Sequence, residues 1–303
     1  MARQSILLAL LLTVATAAHA ACRVEPQATV PLTLVNGHIL VTVAVNDADA
    51  TFILDTGAER TLMGEDTVRQ LGIERDKWVA STVRGIGGIE ERPNALPRSL
   101  RLGPVTLRRK TLSGDNSVTV GPLPAGSIDG HRIAGLLGRD FLAPFDLDID
   151  LPQRRLTLYT VTGCTAWFLP WTTSFAAIPA TTPIGNAMVL PVQVDGRPLR
   201  ALLDTGASAT LIASPGMFRL GLTPDMLAHD AGGTASGVGP APVLMRLHRF
   251  AELRVGPETA RDPYIWVAQV RVVPIVDMLL GADWLQSRRV WMSYATKQIF
   301  IGR

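Results

Sequence analysis

FILDTGAERTLM, residues 52–63, returns as ALLDTGASATLI, residues 201–212, with seven of twelve positions identical at an offset of 149. The likeness extends upstream at the same offset, where VAVNDADATFIL (Val43–Leu54) aligns with VQVDGRPLRALL (Val192–Leu203). Each is an alternating apolar run, a turn at Asn46-Asp47 or Asp195-Gly196, and a second apolar run. That pattern is a β-hairpin, and it puts each Asp-Thr-Gly at the end of a strand. Downstream, GLLGRDFL (Gly135–Leu142) aligns with MLLGADWL (Met278–Leu285), five of eight identical. A closing strand follows each, Arg154–Tyr159 and Lys297–Ile301. Repetition on this scale means two copies of one structural unit, and short strands make the class all-β. The expected architecture is two homologous β-barrel lobes related by a pseudo-twofold axis, each with one short helix. The lobes span residues 28–160 and 185–303, with a linker over 161–184.

The rest of the chain narrows the reading. Its 303 residues suffice for two domains, and 47% hydrophobic against 18% charged residues describes a large buried core rather than disorder. The net charge of +3 is small, and its densest cluster, Arg108-Arg109-Lys110, reads as a solvated turn, so nucleic acid is not an expected partner. Residues 1–20 read as a signal peptide: Arg3, the apolar run Ile6–Leu12, and Ala18-His19-Ala20 as the cleavage site. The mature chain is then periplasmic or secreted, without stable membrane insertion. Nothing between that site and the first hairpin is long enough for a pro-segment. Cys22 and Cys164 either pair in the oxidising compartment or stand as two buried thiols. A bridge over so long a loop is worth roughly 4–5 kcal/mol in the chain-entropy model. Two cysteines cannot make a cysteine-based zinc site, and no metal or cofactor is expected. Trp167, Phe168 and Trp171 in the linker are expected to pack between the lobes. His38, His131, His229 and His248 are isolated in sequence and read as surface or satisfied polar residues. No G-x-S-x-G or H-E-x-x-H occurs.

One Asp-Thr-Gly is a weak signal; two, each followed by its own Leu-Leu-Gly, are strong. A pseudo-twofold axis brings equivalent residues together, so Asp55 and Asp204 should face each other. Two carboxylates about 3 Å apart repel by roughly 5 kcal/mol at an effective dielectric near 20, about 4 pK units, so one keeps its proton. The charged member can deprotonate a water while its partner polarises an amide carbonyl, with no metal or covalent nucleophile required. Gly57 and Gly206 permit close backbone approach, and Thr56 and Thr205 can hydrogen-bond across the axis. Ala58 and Ala207 lack the hydroxyl that Ser or Thr would offer a carboxylate, which predicts a less acidic pH optimum. Asp140 and Asp283 follow Leu-Leu-Gly by two residues, where a helix begins, and read as its caps.

These motifs resemble the retropepsin-like aspartic peptidases: Asp55-Thr56-Gly57-Ala58 with Leu136-Leu137-Gly138, and Asp204-Thr205-Gly206-Ala207 with Leu279-Leu280-Gly281. The chain looks most like bacterial exported members that carry both lobes on one chain. The resemblance implies aspartic-type endopeptidase activity, with a polypeptide bound extended across the lobe cleft and apolar residues preferred around the cut. With both lobes in one chain, a monomer is expected. The resemblance also implies flap hairpins about 30 residues after each Asp, at Gly85, Gly87 and Gly88 and at Gly237 and Gly239. The alternative is a catalytically silent peptide-binding or adaptor protein of the same fold.

Overall fold

Each Asp-Thr-Gly leaves the second strand of a hairpin whose turn is built for left-handed backbone. Asn46 and Asp47 (φ 50° and 71°), and Asp195 and Gly196 (φ 48° and 73°), provide the two positive-φ residues that match the twist of paired strands. The hairpins pair His38–Val45 with Ala48–Leu54, and Val189–Val194 with Arg197–Leu203. Asn46 Oδ1 also accepts the Arg98 and Ser99 N–H groups, and Asp195 Oδ1 accepts those of Ala251 and Glu252. The turns thereby tie in the next strands of each lobe.

The computed structural model describes residues 21–107, 117–123, 126–165, 167–237, 242–271 and 275–302. The apolar N-terminal run, the Arg108-Arg109-Lys110 cluster and Gly239 lie outside the described residues.

The described residues form three sheets. In the first lobe the strand order is Glu74–Gly85, Gly88–Leu96, Val118–Gly121, Leu62–Gly64, His131–Leu137, Ala48–Leu54, His38–Val45, Leu100–Leu102, Val105–Leu107. In the second it is Ala231–Ala235, Val243–Arg249, Tyr264–Ala268, Leu211–Ile212, Met278–Leu280, Arg197–Leu203, Val189–Val194, Glu252–Val255, Glu258–Arg261. The two paths are the same, strand for strand. The first lobe adds two short strands, Thr33–Val35 and Ser127–Ile128, off this path.

A six-stranded antiparallel sheet is shared by both halves. It runs Arg23–Pro31, Arg155–Thr162, Asp146–Asp150, Arg289–Ser293, Gln298–Gly302, Phe175–Pro179. The expected linker is therefore partly strand, since Phe175–Pro179 pairs with Gln298–Gly302. Its Thr, Pro and Ala content hid it, because an edge strand tolerates proline at its end. Trp171 and Phe168 pack here against Trp291 and Phe300, whereas Trp167 is 79% exposed, its ring 5.0 Å from that of Phe175. Acids buried in this sheet are all partnered. Asp146 accepts the Trp291 indole N–H, and Asp148 accepts Trp171 and Arg289. A disulfide joins Cys22 to Cys164, pinning the first strand's start to the end of its neighbour.

Each lobe has the short helix that follows Leu-Leu-Gly, Arg139–Leu142 and Ala282–Leu285. Each has a further one after the Asp-Thr-Gly loop, Glu65–Gln70 and Ser214–Leu220. Among the described residues no helix is long and apolar enough to cross a membrane.

Candidate active site

The Asp-Thr-Gly loops are set by a crossing of strands. Leu54 pairs in parallel with Leu137, and Leu203 with Leu280. The ladder continues one step further, with Asp55 N donating to Leu137 O and Asp204 N to Leu280 O, both at 3.0 Å. Alternation then divides the leucines: Leu136 and Leu279 line the cleft, while Leu137 and Leu280 enter the core. Gly138 and Gly281 pass so near residues 60–61 and 209 that a Cβ would lie within 3 Å of backbone atoms.

Asp140 and Asp283 do not cap their helices, contrary to the sequence expectation. The N-cap positions are Gly138 and Gly281, with no side-chain cap bond. Each carboxylate accepts the N–H of the residue after it, Phe141 or Trp284, and also reaches back across the crossing. Asp140 accepts the Thr61 N–H and hydroxyl (2.9 and 2.7 Å), and Asp283 accepts those of Thr210 (2.9 and 2.7 Å). The threonine hydroxyls in turn accept the N–H groups of Gly138 and Gly281. Spacing along the chain suggested a cap; the partner lies 79 or 73 residues away.

Thr56 and Thr205 lock the two loops to each other. Thr56 N donates to Thr205 Oγ1 (2.9 Å) and Thr205 N to Thr56 Oγ1 (3.1 Å). The hydroxyls donate onward to Leu203 O (2.9 Å) and Leu54 O (2.7 Å) in the opposite lobes. All four bonds are buried, where an unmade one is costly. They hold the carboxyls of Asp55 and Asp204 side by side, each packed on the opposite loop's glycine. A Cβ on Gly57 would lie 2.3 Å from Asp204 Cγ, and one on Gly206 would lie 2.3 Å from Asp55 Cγ. Only glycine leaves room for the opposing carboxyl.

The two acids differ in environment. Asp204 Oδ1 accepts two backbone N–H groups, Gly206 (2.9 Å) and Ala207 (3.2 Å); Asp55 Oδ1 accepts one, Ala58 (2.7 Å). Burial, then the Asp204 charge, push Asp55 up to about 8, opposed by the Ala58 N–H and Arg139. Burial raises Asp204 as well, against its two N–H donors, the Asp55 hydrogen bond and Arg139. With two N–H donors against one, Asp204 is the better-stabilised carboxylate of the two.

Arg139 was not singled out in the sequence, although it breaks the repeat, with Ala282 at its equivalent position. The side chain is almost wholly buried and donates to the carbonyls of Gly57 and Gly185. It therefore places a permanent positive charge beneath the dyad and links the first loop to the segment that opens the second lobe.

The dyad forms the floor of a cavity of about 180 Å³ between the lobes. Ile53, Leu136, Leu211, Met245, Trp266 and Leu279 give it apolar walls. Two hairpins close over it. In the first, Glu74–Gly85 pairs with Gly88–Leu96, turning at Ile86-Gly87, and Gly88 adopts φ 130°. In the second, Ala231–Ala235 pairs with Val243–Arg249. Ile86 packs on the second lobe's cleft-side cluster, and a Cβ on Gly237 would lie 2.4 Å from Ile86 Cγ1, so the hairpin tips meet. Sequence reading assigned glycines to these tips and missed Ile86, whose apolar side chain among glycines was the available signal.

Three histidines are as expected: His131 and His229 are exposed, and His248 bonds Asp230 Oδ2 at 2.7 Å. His38 is not. It lines the cleft, and its buried Nδ1 has no partner.

Two lobes of identical topology, with an aspartate from each meeting across a threonine-locked axis, define the class of bilobal aspartic proteases. The sequence comparison agrees: a family model described as aspartyl protease matches residues 41–141 and 190–284. The chain belongs to this family, as a two-lobe, retropepsin-like aspartyl protease. No curated protein matches its sequence. Among solved structures it is similar to an aspartic proteinase from Irpex lacteus. The two share 15% sequence identity with a TM-score of 0.51 over 93% of this chain and 97% of that one.

Proposed function

We propose that this chain is an aspartic-type endopeptidase acting through Asp55 and Asp204. The observation that carries this reading is the juxtaposition of the two carboxyls, one from each lobe, lining a largely apolar cavity. Asp204, with two N–H donors, is the charged member and takes a proton from water as it attacks the scissile carbonyl. Asp55 donates its proton to that carbonyl oxygen and so stabilises the charge developing there. The tetrahedral diol collapses as a proton passes to the leaving nitrogen. The hairpins tipped by Ile86 and Gly237 open to admit an extended polypeptide and close to exclude water.

The enzyme is proposed to work after export, as a periplasmic or secreted monomer. The leader-like first 20 residues and the Cys22–Cys164 disulfide both support an oxidising compartment. Incubation with unfolded casein, with and without a statine-type inhibitor, tests the activity. Wild type is expected to cleave, and Asp204→Asn to lose at least about a thousandfold in rate. Cleavage that survives this substitution sinks the dyad mechanism. Peptide binding without cleavage in wild type favours a silent peptide-binding protein.

A further inference from the structure

The repeat makes the ends of the cleft comparable residue by residue. At the offset of 149, His38 is equivalent to Ala187 and Glu59 to Ser208. The turn before His38 lies against Ser208, since a Cβ on Gly37 would be 3.1 Å from the Ser208 carbonyl oxygen. At the symmetry-related place, Gly185 lies against Glu59, which pairs with Arg84 at 3.9 Å. On one side His38 and Ser208 both line the cavity; on the related side Arg84 lines it, paired with Glu59, and the counterpart of His38 is the buried Ala187.

His38 and Ser208 both line the cavity. Nδ1 of His38 is buried without a partner. An orphaned buried N–H costs more than an orphaned lone pair, so the ring proton belongs on Nε2. Burial lowers the imidazole's pKa and so favours the neutral ring. The half-buried ring thus offers an Nε2–H donor to a cavity whose polar lining, apart from the dyad, is His38, Ser208, Arg84 and Ser236.

We propose that His38 and Ser208 form a polar specificity subsite, selecting a peptide residue with a hydrogen-bond-accepting side chain, carboxamide or carboxylate, at one fixed position from the scissile bond. This rests on the peptidase reading, and it makes the cleft directional although the lobes are alike. An apolar residue there leaves the donors unpaired, whereas the Ala187 end loses nothing by burying one.

The test uses the disulfide-bonded chain and a series of statine-type peptide inhibitors carrying Gln, Glu or Leu at each flanking position in turn. Wild type is expected to show one position at which Gln or Glu binds about tenfold more tightly than Leu. His38→Ala, which installs the residue of the other lobe, should abolish that preference at that position alone. Ser208→Ala should weaken it, and both variants should bind the all-Leu inhibitor more tightly than wild type, since a donor that Leu left unpaired is gone; melting curves confirm folding. The Gln and Glu arms separate a carboxamide ligand from a carboxylate, and either supports the subsite. Preference for Leu at every position in wild type, or a preference surviving His38→Ala, overturns the subsite. Casein cleavage is measured in parallel. Binding with the expected preference but no cleavage upholds the subsite and refutes the peptidase reading; cleavage with no preference does the reverse.

Discussion

Replacing Arg139 by Met removes a buried charge while keeping most of the volume. Its guanidinium bonds the carbonyl of Gly57, two residues beyond Asp55, and opposes the rise in both aspartates' pKa. A charge bonded there lies on the order of 7 Å from the dyad, where at an effective dielectric near 20 it contributes about 2 kcal/mol, between 1 and 2 pK units. The positive charge favours every deprotonated form of the pair. Without it, both the acid and basic limbs of the kcat/KM profile should move up by about 1–2 pH units. The carbonyls of Gly57 and Gly185 also lose their donor, so unfolding free energy should fall by roughly 2–4 kcal/mol. Arg139→Lys separates the effects, since it keeps the charge and loses the fork. It should lose stability while its pH limbs stay within about half a unit of wild type. The assay is turnover of an unfolded protein substrate from pH 3 to 9, beside melting curves at each pH. A folded Arg139→Met enzyme with unmoved limbs would refute the electrostatic reasoning.

The remaining predictions follow from the same contacts. The rate optimum should be only mildly acidic, because Ala58 and Ala207 offer the carboxylates no hydroxyl; an optimum below about pH 3 contradicts this. Asp55 binds its proton up to about pH 8 when folded and to 3.8 otherwise, so the native state holds the extra proton between them and loses stability as pH rises through that window. Asp55→Asn removes this slope: its melting temperature should gain on wild type from pH 4 to pH 8, and parallel curves would count against a shared proton. Thr56→Val breaks two buried interlobe bonds and should cost about 2–4 kcal/mol in urea unfolding; a cost under about 0.5 kcal/mol would show the lock to be dispensable. Reducing the Cys22–Cys164 bridge frees a separation of 142 residues and should lower stability by about 5 kcal/mol, checked by melting with and without reductant.

The sequence alone determined what is local or repeated. Hairpins announce themselves by alternation and by turn residues such as Asn46-Asp47, and two copies of Asp-Thr-Gly imply symmetry, hence the meeting of Asp55 with Asp204. Tertiary structure decided whatever depends on partners far along the chain. Asp140 and Asp283 sit where a cap would, yet their carboxylates bond Thr61 and Thr210 through the strand crossing. His38, isolated in sequence, lines the cleft and lies beside Ser208 only because the lobes fold over one another. Arg139, which no motif marks, is buried where the first loop meets the segment that opens the second lobe. Short-range pattern records backbone preference, which acts between neighbours; burial and charge act through space, and their outcome exists only once the chain has closed on itself.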